Sequence, residues 1–209
     1  MPLPPELNKA FTFELKNMLI NKLNIQNKDN LEIEARLGSI TEVFTSERLR
    51  LNTFHPVILE PSHDTRFKTG VALNYFTKIK DLFKNETGTI EKDSVCLFKG
   101  FRTTLSNGKT TTIRKDRIAA YDIYIPNAVY DLRIALSREV PVTNVMKRTS
   151  YRRERERESF VVDDSRFDFT VTKSEGTVNY EVEVELINAD SSLDTFVDVA
   201  FNVALLNLQ

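Results

Sequence analysis

The chain has one cysteine, two histidines and no tryptophan in 209 residues. A single cysteine forbids an internal disulfide and fits a reducing compartment. Without tryptophan one common stacking residue is missing, although phenylalanine and tyrosine remain. His55 and His63 sit in a proline-flanked stretch with no metal-ligand spacing and read as loop residues. No apolar run reaches the roughly 18 residues of a membrane-spanning helix. Met1-Pro-Leu-Pro-Pro5 lacks the basic start and apolar stretch of a secretory signal. Neither charge sign dominates, with 29 Lys and Arg against 30 Asp and Glu and a net charge of −1. A near-neutral chain is not a general polyanion binder, so any pull on phosphate must come from local clustering. What remains is an intracellular soluble chain without a membrane segment, expected to form one domain over residues 1–209, a size that all-β barrels often reach.

Period and punctuation then lay out the elements. Leu7, Phe11, Leu15, Met18 and Leu19 put one apolar stripe on a helix within residues 1–26, closed by the turn Asn27-Lys-Asp-Asn30. From Leu31 the period changes to two, and Gly38 is expected to end that strand. A second helix is expected over Val71–Lys84. Ser106-Asn-Gly108 reads as a hairpin turn joining Ser94–Leu105 to Lys109–Ile125. Further strands are expected at Val129–Val140, Thr149–Val162, Arg166–Lys173 and Thr177–Ile187, then a C-terminal helix within 190–206.

The strand faces carry the chemistry. Glu32, Glu34 and Arg36 oppose Leu31, Ile33, Ala35 and Leu37, and Glu181, Glu183 and Glu185 oppose Val182, Val184 and Leu186. The plain explanation is a two-faced sheet with its charged side in water. Three like charges in a row on a strand repel, however, and glutamate is a poor strand former, so two such strands are costly unless cations lie over them. Arg153, Arg155 and Arg157 on one face of Arg152–Glu158 supply cations, although alternating charge also suits a solvated ribbon or helix. Lys115 and Arg117 share a face, as do Arg133 and Glu139, and Arg166, Asp168 and Thr170.

Combined, these strands predict a mainly β fold with flanking helices (α+β): a closed antiparallel barrel of about eight strands. The apolar faces point outward under helices and the charged faces point inward, where a barrel of this size leaves room for a small ligand. Inward carboxylates suit a hard cation such as Mg²⁺ or Mn²⁺, and guanidinium groups suit phosphate oxygens. Together they meet the electrostatic requirement of phosphoryl transfer.

Paired Glu-x-Glu strands at the two ends of a β-rich domain resemble the triphosphate tunnel metalloenzymes, and within them the RNA 5′-triphosphatases of mRNA capping of fungal, protozoal and viral type. Tyr130–Pro141, Arg166-Phe-Asp-Phe-Thr170 and Tyr180–Leu186 carry the likeness, anchored again at Leu31–Gly38. The resemblance implies a metal, Mg²⁺ or Mn²⁺, at Glu32, Glu34, Glu183 and Glu185, with Glu183 positioning its waters. It implies that Glu139 orients the attacking water, that Arg102, Arg155 and Arg157 grip the γ-phosphate, and that Lys115 and Arg133 support the triphosphate. Arg166, Asp168 and Glu181 would brace these groups. The substrate implied is a 5′-triphosphate RNA end, with NTP hydrolysis as a side activity. Homodimerisation, an RNA guanylyltransferase partner and a nuclear location (cytoplasmic for a cytoplasmic virus) follow by the same analogy.

The chain also departs from the family pattern. Arginine stands at both 155 and 157 where the family often has lysine then arginine, and the triple arginine repeat permits Arg153 to take one role. The Trp-containing peptide by which some fungal members recruit guanylyltransferase is missing. Cys96–Arg102 gives a Cys-x5-Arg spacing, as in cysteine phosphatases, but Val95 precedes Cys96 and the segment reads as a strand, leaving Cys96 as a buried small residue. Thiamine or inorganic triphosphatase and adenylate cyclase barrels tend to begin Glu-x-Glu-x-Lys, whereas Arg36 stands here. A barrel that only binds RNA ends or a partner gains nothing from six inward carboxylates.

Overall fold

The structure is a computed structural model that describes residues 5–24, 29–98, 100–143, 151–188 and 192–206. Helix α1 (Pro5–Asn24) leads into strand β1 (Leu31–Glu42), followed by short strands β2 (Val57–Leu59) and β3 (Thr65–Thr69). Helix α2 (Leu73–Lys80) ends in a 3₁₀ turn, Asp81–Phe83. Then come β4 (Thr89–Phe98), β5 (Phe101–Ser106), β6 (Lys109–Tyr124), β7 (Asp131–Pro141), β8 (Tyr151–Val162), β9 (Ser165–Ser174), β10 (Thr177–Leu186) and helix α3 (Leu193–Ala204).

Eight strands close a ring in the order β10-β9-β8-β4-β5-β6-β7-β1, because β1 pairs antiparallel with both β7 and β10. The short β3 extends beside the far half of β1, and β2 beside the end of β6. Closure matters physically, since a barrel leaves no unpaired edge to aggregate.

The apolar core lies outside the barrel wall. Ile33, Ala35 and Leu37 of β1, Leu132, Ile134 and Leu136 of β7, and Val182, Val184 and Leu186 of β10 are buried. Over them pack Leu15, Leu19 and Leu23 of α1 and Phe196, Val197, Ala200 and Phe201 of α3. Phe11 meets Phe201 edge-on at 5.5 Å, and Lys16 ties α1 to Asp194 and Asp198 of α3. Phe76 of α2 and Phe83 of the 3₁₀ turn both meet Phe169 of β9 edge-on. Burying one such side chain contributes about 1.5–3 kcal/mol. The helices therefore stabilise the wall from outside and leave the lumen free to be polar.

Several expectations are corrected. Gly38 does not end β1, which runs on to Glu42. The glycine serves a close approach instead, because a Cβ there would lie 2.3 Å from the Lys68 carbonyl oxygen and 2.7 Å from the Phe67 ring. Ser94–Leu105 is two strands, β4 and β5, reversing at Gly100, whose φ of +82° favours glycine. The turn at Asn107-Gly108 is present, with φ of 50° and 74°. The helix expected to Lys84 tightens into a 3₁₀ turn after Lys80. Strands β2 and β3 were not foreseen, being short and in a proline-flanked region. The expected elements at residues 1–4, 25–28, 149–150 and 190–191 lie outside the described residues.

A buried ion pair fixes the far end of the ring. Asp131, fully buried, accepts from Arg48 Nη2 at 2.6 Å and Nε at 3.0 Å, and from the backbone N–H groups of Ile40 and Ile125. Arg48 also donates to the carbonyls of Ala128 and Ile125. One carboxylate thus holds β1, β7 and the β6–β7 connection together, with its lone pairs satisfied as a buried charge requires.

Candidate active site

Strand alternation delivers the charged side chains to the lumen. In antiparallel strands directly opposed residues share a face. Glu34 stands opposite Glu185, and Arg36 opposite Glu183. Glu185 is opposite Arg166, Glu183 opposite Asp168, and Glu181 opposite Thr170. Arg155 and Arg157 stand opposite Thr172 and Thr170, while Lys115 is opposite Glu139. The result is a cavity of about 210 Å³ lined by Glu32, Glu34, Arg36, Arg102, Glu139, Arg153, Arg155, Arg157, Arg166, Glu181, Glu183 and Glu185. All twelve carry charge, six of each sign. Ala135, opposite Glu34 on the other side, leaves space beside that carboxylate.

Each carboxylate is held by cations from neighbouring strands. Lys115 Nζ contacts Glu32 and lies 3.2 Å from Glu34 and 3.7 Å from Glu139. Arg36 reaches Glu34 at 2.7 Å and Glu183 at 3.0 Å. Arg102 donates to Glu139 at 2.9 Å, and Arg166 to Glu185 and to Asp168. Arg157 contacts Thr170 Oγ1 at 3.2 Å and Asp168 at 3.3 Å. Asp93 of β4 grips Arg155 with both oxygens, at 2.8 and 2.6 Å. Such bidentate pairing fixes a guanidinium in one plane while leaving its other edge to face a ligand.

The field of these pairs shows in the acidities. Burial pushes Glu185 up, reinforced by Glu32, Asp168 and Glu34 against the pull of Arg166, so that its pKa reaches about 7. Burial opposes ionisation of Glu183 as well, but there Arg36, Arg157, Lys115 and Arg155 prevail and hold it below the usual carboxylate range. Arg36 and Arg155 are raised, since their carboxylate neighbours outweigh burial.

Twelve of the thirteen residues to which the resemblance gives a role gather around this cavity. Glu32, Glu34, Glu181, Glu183, Glu185, Glu139, Arg102, Arg155, Arg157 and Arg166 line it, Lys115 lines the adjoining cavity, and Asp168 lies buried beneath Arg157 and Arg166. Arg133 stands on the same face, opposite Arg36, but does not line the charged cavity. It is clamped by Asp122, its cross-strand neighbour, at 2.7 Å and lies 4.6 Å over the Phe67 ring. Arg153, Arg155 and Arg157 all face inward, so orientation alone does not separate the three. Arg36 was visible on the Glu32–Glu34 face, but its bridging of two glutamates was not. Asp93 gave no signal, because nothing local says that β4 lies beside β8.

The carboxylates fit a hard divalent cation by chemistry: all oxygen donors, with Glu34 and Glu185 directly opposed and Glu32 two residues from Glu34. Among the described residues no three carboxylates gather at metal-ligand spacing, because each is drawn to its own lysine or arginine. Glu183 lies between Arg36 and Arg157.

The cysteine phosphatase geometry is absent. Cys96 is a half-buried residue of β4 opposite Thr103, and Arg102 follows across the hairpin opposite Leu97, so the two side chains leave opposite faces. Among the described residues no phosphate-cradling turn into a helix joins them. His55 and His63 are exposed in loops.

Closed barrel and balanced lumen together define a triphosphate-tunnel fold. The chain belongs to the family described as mRNA capping enzyme, beta chain, whose profile matches residues 8–106 and 100–196. The mRNA-capping enzyme subunit beta of Schizosaccharomyces pombe is 27% identical over 222 aligned residues, spanning 90% of this chain and 71% of that one. The solved structure of the S. pombe Pct1 RNA triphosphatase superposes with a TM-score of 0.77 at 24% identity, covering 97% of this chain and 86% of the other. A second structure of that enzyme, in complex with the Spt5 CTD, gives 0.77 at 22% identity, covering 97% and 85%.

Proposed function

We propose that this chain removes the γ-phosphate from 5′-triphosphate-ended RNA, leaving the 5′-diphosphate that cap formation requires. Family membership supports the reaction class. The observation that carries the reading is the cavity of six glutamates and six arginines inside the closed barrel, with Glu34 opposed to Glu185. A surface built only to hold an anion would lack the carboxylates.

The geometry supports the roles that the family resemblance implies. Arg155, fixed by Asp93, and Arg157, fixed by Thr170 and Asp168, present planar donors to the oxygens of the transferred phosphoryl group. Arg102 reaches the same cavity from β5. Glu139 belongs to no Glu-x-Glu pair and is held in place by Arg102 and Lys115, so it is positioned to take a proton from an attacking water. Arg166 and Asp168 brace the wall. Glu32, Glu34 and Glu185 would hold a divalent cation, Mg²⁺ or Mn²⁺, with Glu183 beside it. When bound, that ion supplies charge neutralisation on the phosphate oxygens.

Hydrolysis of NTP in Mn²⁺, a homodimer, contact with an RNA guanylyltransferase and a nuclear site of action belong to the same reading; for a chain of cytoplasmic-viral origin the site is cytoplasmic. The decisive experiment follows phosphate release from γ-labelled triphosphate-ended RNA, with Mg²⁺, Mn²⁺ or chelator. Release of labelled orthophosphate in either metal and none in chelator is expected. Binding without release would make the chain an RNA-end binder. Faster turnover of inorganic tripolyphosphate or thiamine triphosphate would reassign the substrate.

A further inference from the structure

The charged cavity does not stand alone. A second cavity of about 560 Å³ shares Glu34, Arg36, Arg102 and Arg153 with it, so the two adjoin. Its remaining walls differ in kind: Leu97, Phe98 and Phe101 from the β4–β5 hairpin, and Lys115, Arg117 and Ser137 from β6 and β7. The topology explains the opening. β5 begins at Phe101 opposite Arg114, while β6 runs on to Tyr124, so the wall is cut short beside Lys115 and Arg117. Gly100 and Arg117 are exposed, and there the cavity reaches solvent.

Two observations mark this mouth as a binding surface. Arg117 has no hydrogen bond or ion pair among the described residues, whereas the cations lining the charged cavity sit on carboxylates. Ser137, opposite both Glu32 and Arg117, is fully buried, and its hydroxyl lacks a partner. An unpaired buried hydroxyl costs stability unless a ligand or water satisfies it.

We propose that this mouth holds the first nucleotide of the RNA. The inference rests on the triphosphatase reading above and adds where the rest of the substrate lies. A lumen lined wholly by charge suits a polyphosphate but offers nothing to a base. Phe98 and Phe101, both half-buried at the rim, offer aromatic surface beside it, and stacking tolerates any base. Arg117 meets the phosphodiester that follows, and Ser137 donates to an oxygen at the junction of the two cavities. The triphosphate thus enters γ-end first past the hairpin.

Steady-state kinetics on triphosphate-ended RNA, with inorganic tripolyphosphate as a competitor, test the assignment. Phe101→Ala is expected to raise KM for RNA about tenfold, the scale of one lost base–aromatic stack. Inhibition by tripolyphosphate, which has no nucleoside, should keep its wild-type constant. Arg117→Gln should raise KM severalfold and lower its salt dependence. It also keeps the test decisive if Phe101→Ala fails to fold, since Arg117 is exposed and unpaired. An unchanged KM in the folded variants, or a parallel loss of tripolyphosphate inhibition, overturns the mouth assignment while the triphosphatase reading stands. A wild-type chain that releases no phosphate from RNA overturns both.

Discussion

Glu34 and Glu185 stand directly opposite each other on adjacent strands, yet their charges are drawn apart, Glu34 to Arg36 and Lys115 and Glu185 to Arg166. Opposed like charges on neighbouring strands are destabilising unless a cation lies between or beside them. Without metal the protein's own cations do this work, so a divalent ion must compete with them for the same oxygens.

Calorimetric titration with Mn²⁺ tests this competition. Glu34→Gln and Glu185→Gln should each weaken metal binding by about tenfold or more, as loss of one charged ligand does. Part of their loss of phosphate release should return at high Mn²⁺. Normal metal affinity in both variants would remove these residues from the metal site.

The acidity of Glu185 gives a pH signature in chelator. Its folded pKa, about 7, lies above the ordinary value of 4.5. Between those values the folded state binds more protons than the unfolded one. The stabilisation is therefore fully present below pH 4.5 and is lost as pH rises through 7, by roughly 2–3 kcal/mol. Glu183, shifted the other way, contributes stability above 4.5 that is lost only at lower pH. Urea unfolding from pH 4.5 to 7.5 should show the decline in wild type and a flatter profile in Glu185→Gln. Saturating metal should reverse the slope, because the ion needs the ionised carboxylate. Identical profiles with and without Glu185 would refute the assignment.

Gly38 offers a test of the wall itself. An added Cβ would meet the Lys68 carbonyl at 2.3 Å, and that contact is backbone, which cannot rotate away. Gly38→Ala should cost about 1–3 kcal/mol by overpacking, seen as a lower urea midpoint. A neutral result would mean that β3 yields at little cost.

Much of this architecture was legible because a strand has one unambiguous period. Glu32 and Glu34, Glu183 and Glu185, and Arg155 and Arg157 could each be paired on one face from spacing alone, with the apolar partners Ile33 and Val184 on the other, and only the closing of the strands into a barrel turned the charged faces inward. What spacing cannot give is which strand lies beside which. The Asp93 clamp on Arg155 depends on β4 lying against β8, and the diversion of Arg133 depends on Asp122 standing opposite it. The Arg48–Asp131 knot joins residues 83 positions apart with no local pattern. Gly38 misled for a related reason: a glycine in a strand marks either an end or a close approach, and only the neighbour Phe67 decides between them.

Two glutamates of the same cavity can be told apart by what each neutralisation costs. Glu139 sits near the end of β7, accepts from Arg102 at 2.9 Å and faces Lys115 across the strand pair. It has no opposed carboxylate, so no metal is needed to relieve repulsion there. If it takes the proton of the attacking water, Glu139→Gln should bind Mn²⁺ almost normally and lose about 10²- to 10⁴-fold in kcat. Glu185→Gln should show the reverse order of effects, with weakened metal first and partial recovery at high Mn²⁺. Neither comparison holds unless the variants fold, because removing one charge of a buried pair leaves the other uncompensated. Thermal unfolding in saturating metal must therefore accompany the kinetics. A Glu139→Gln protein whose metal affinity falls as far as that of Glu185→Gln would make Glu139 a ligand, and the proton would need another acceptor.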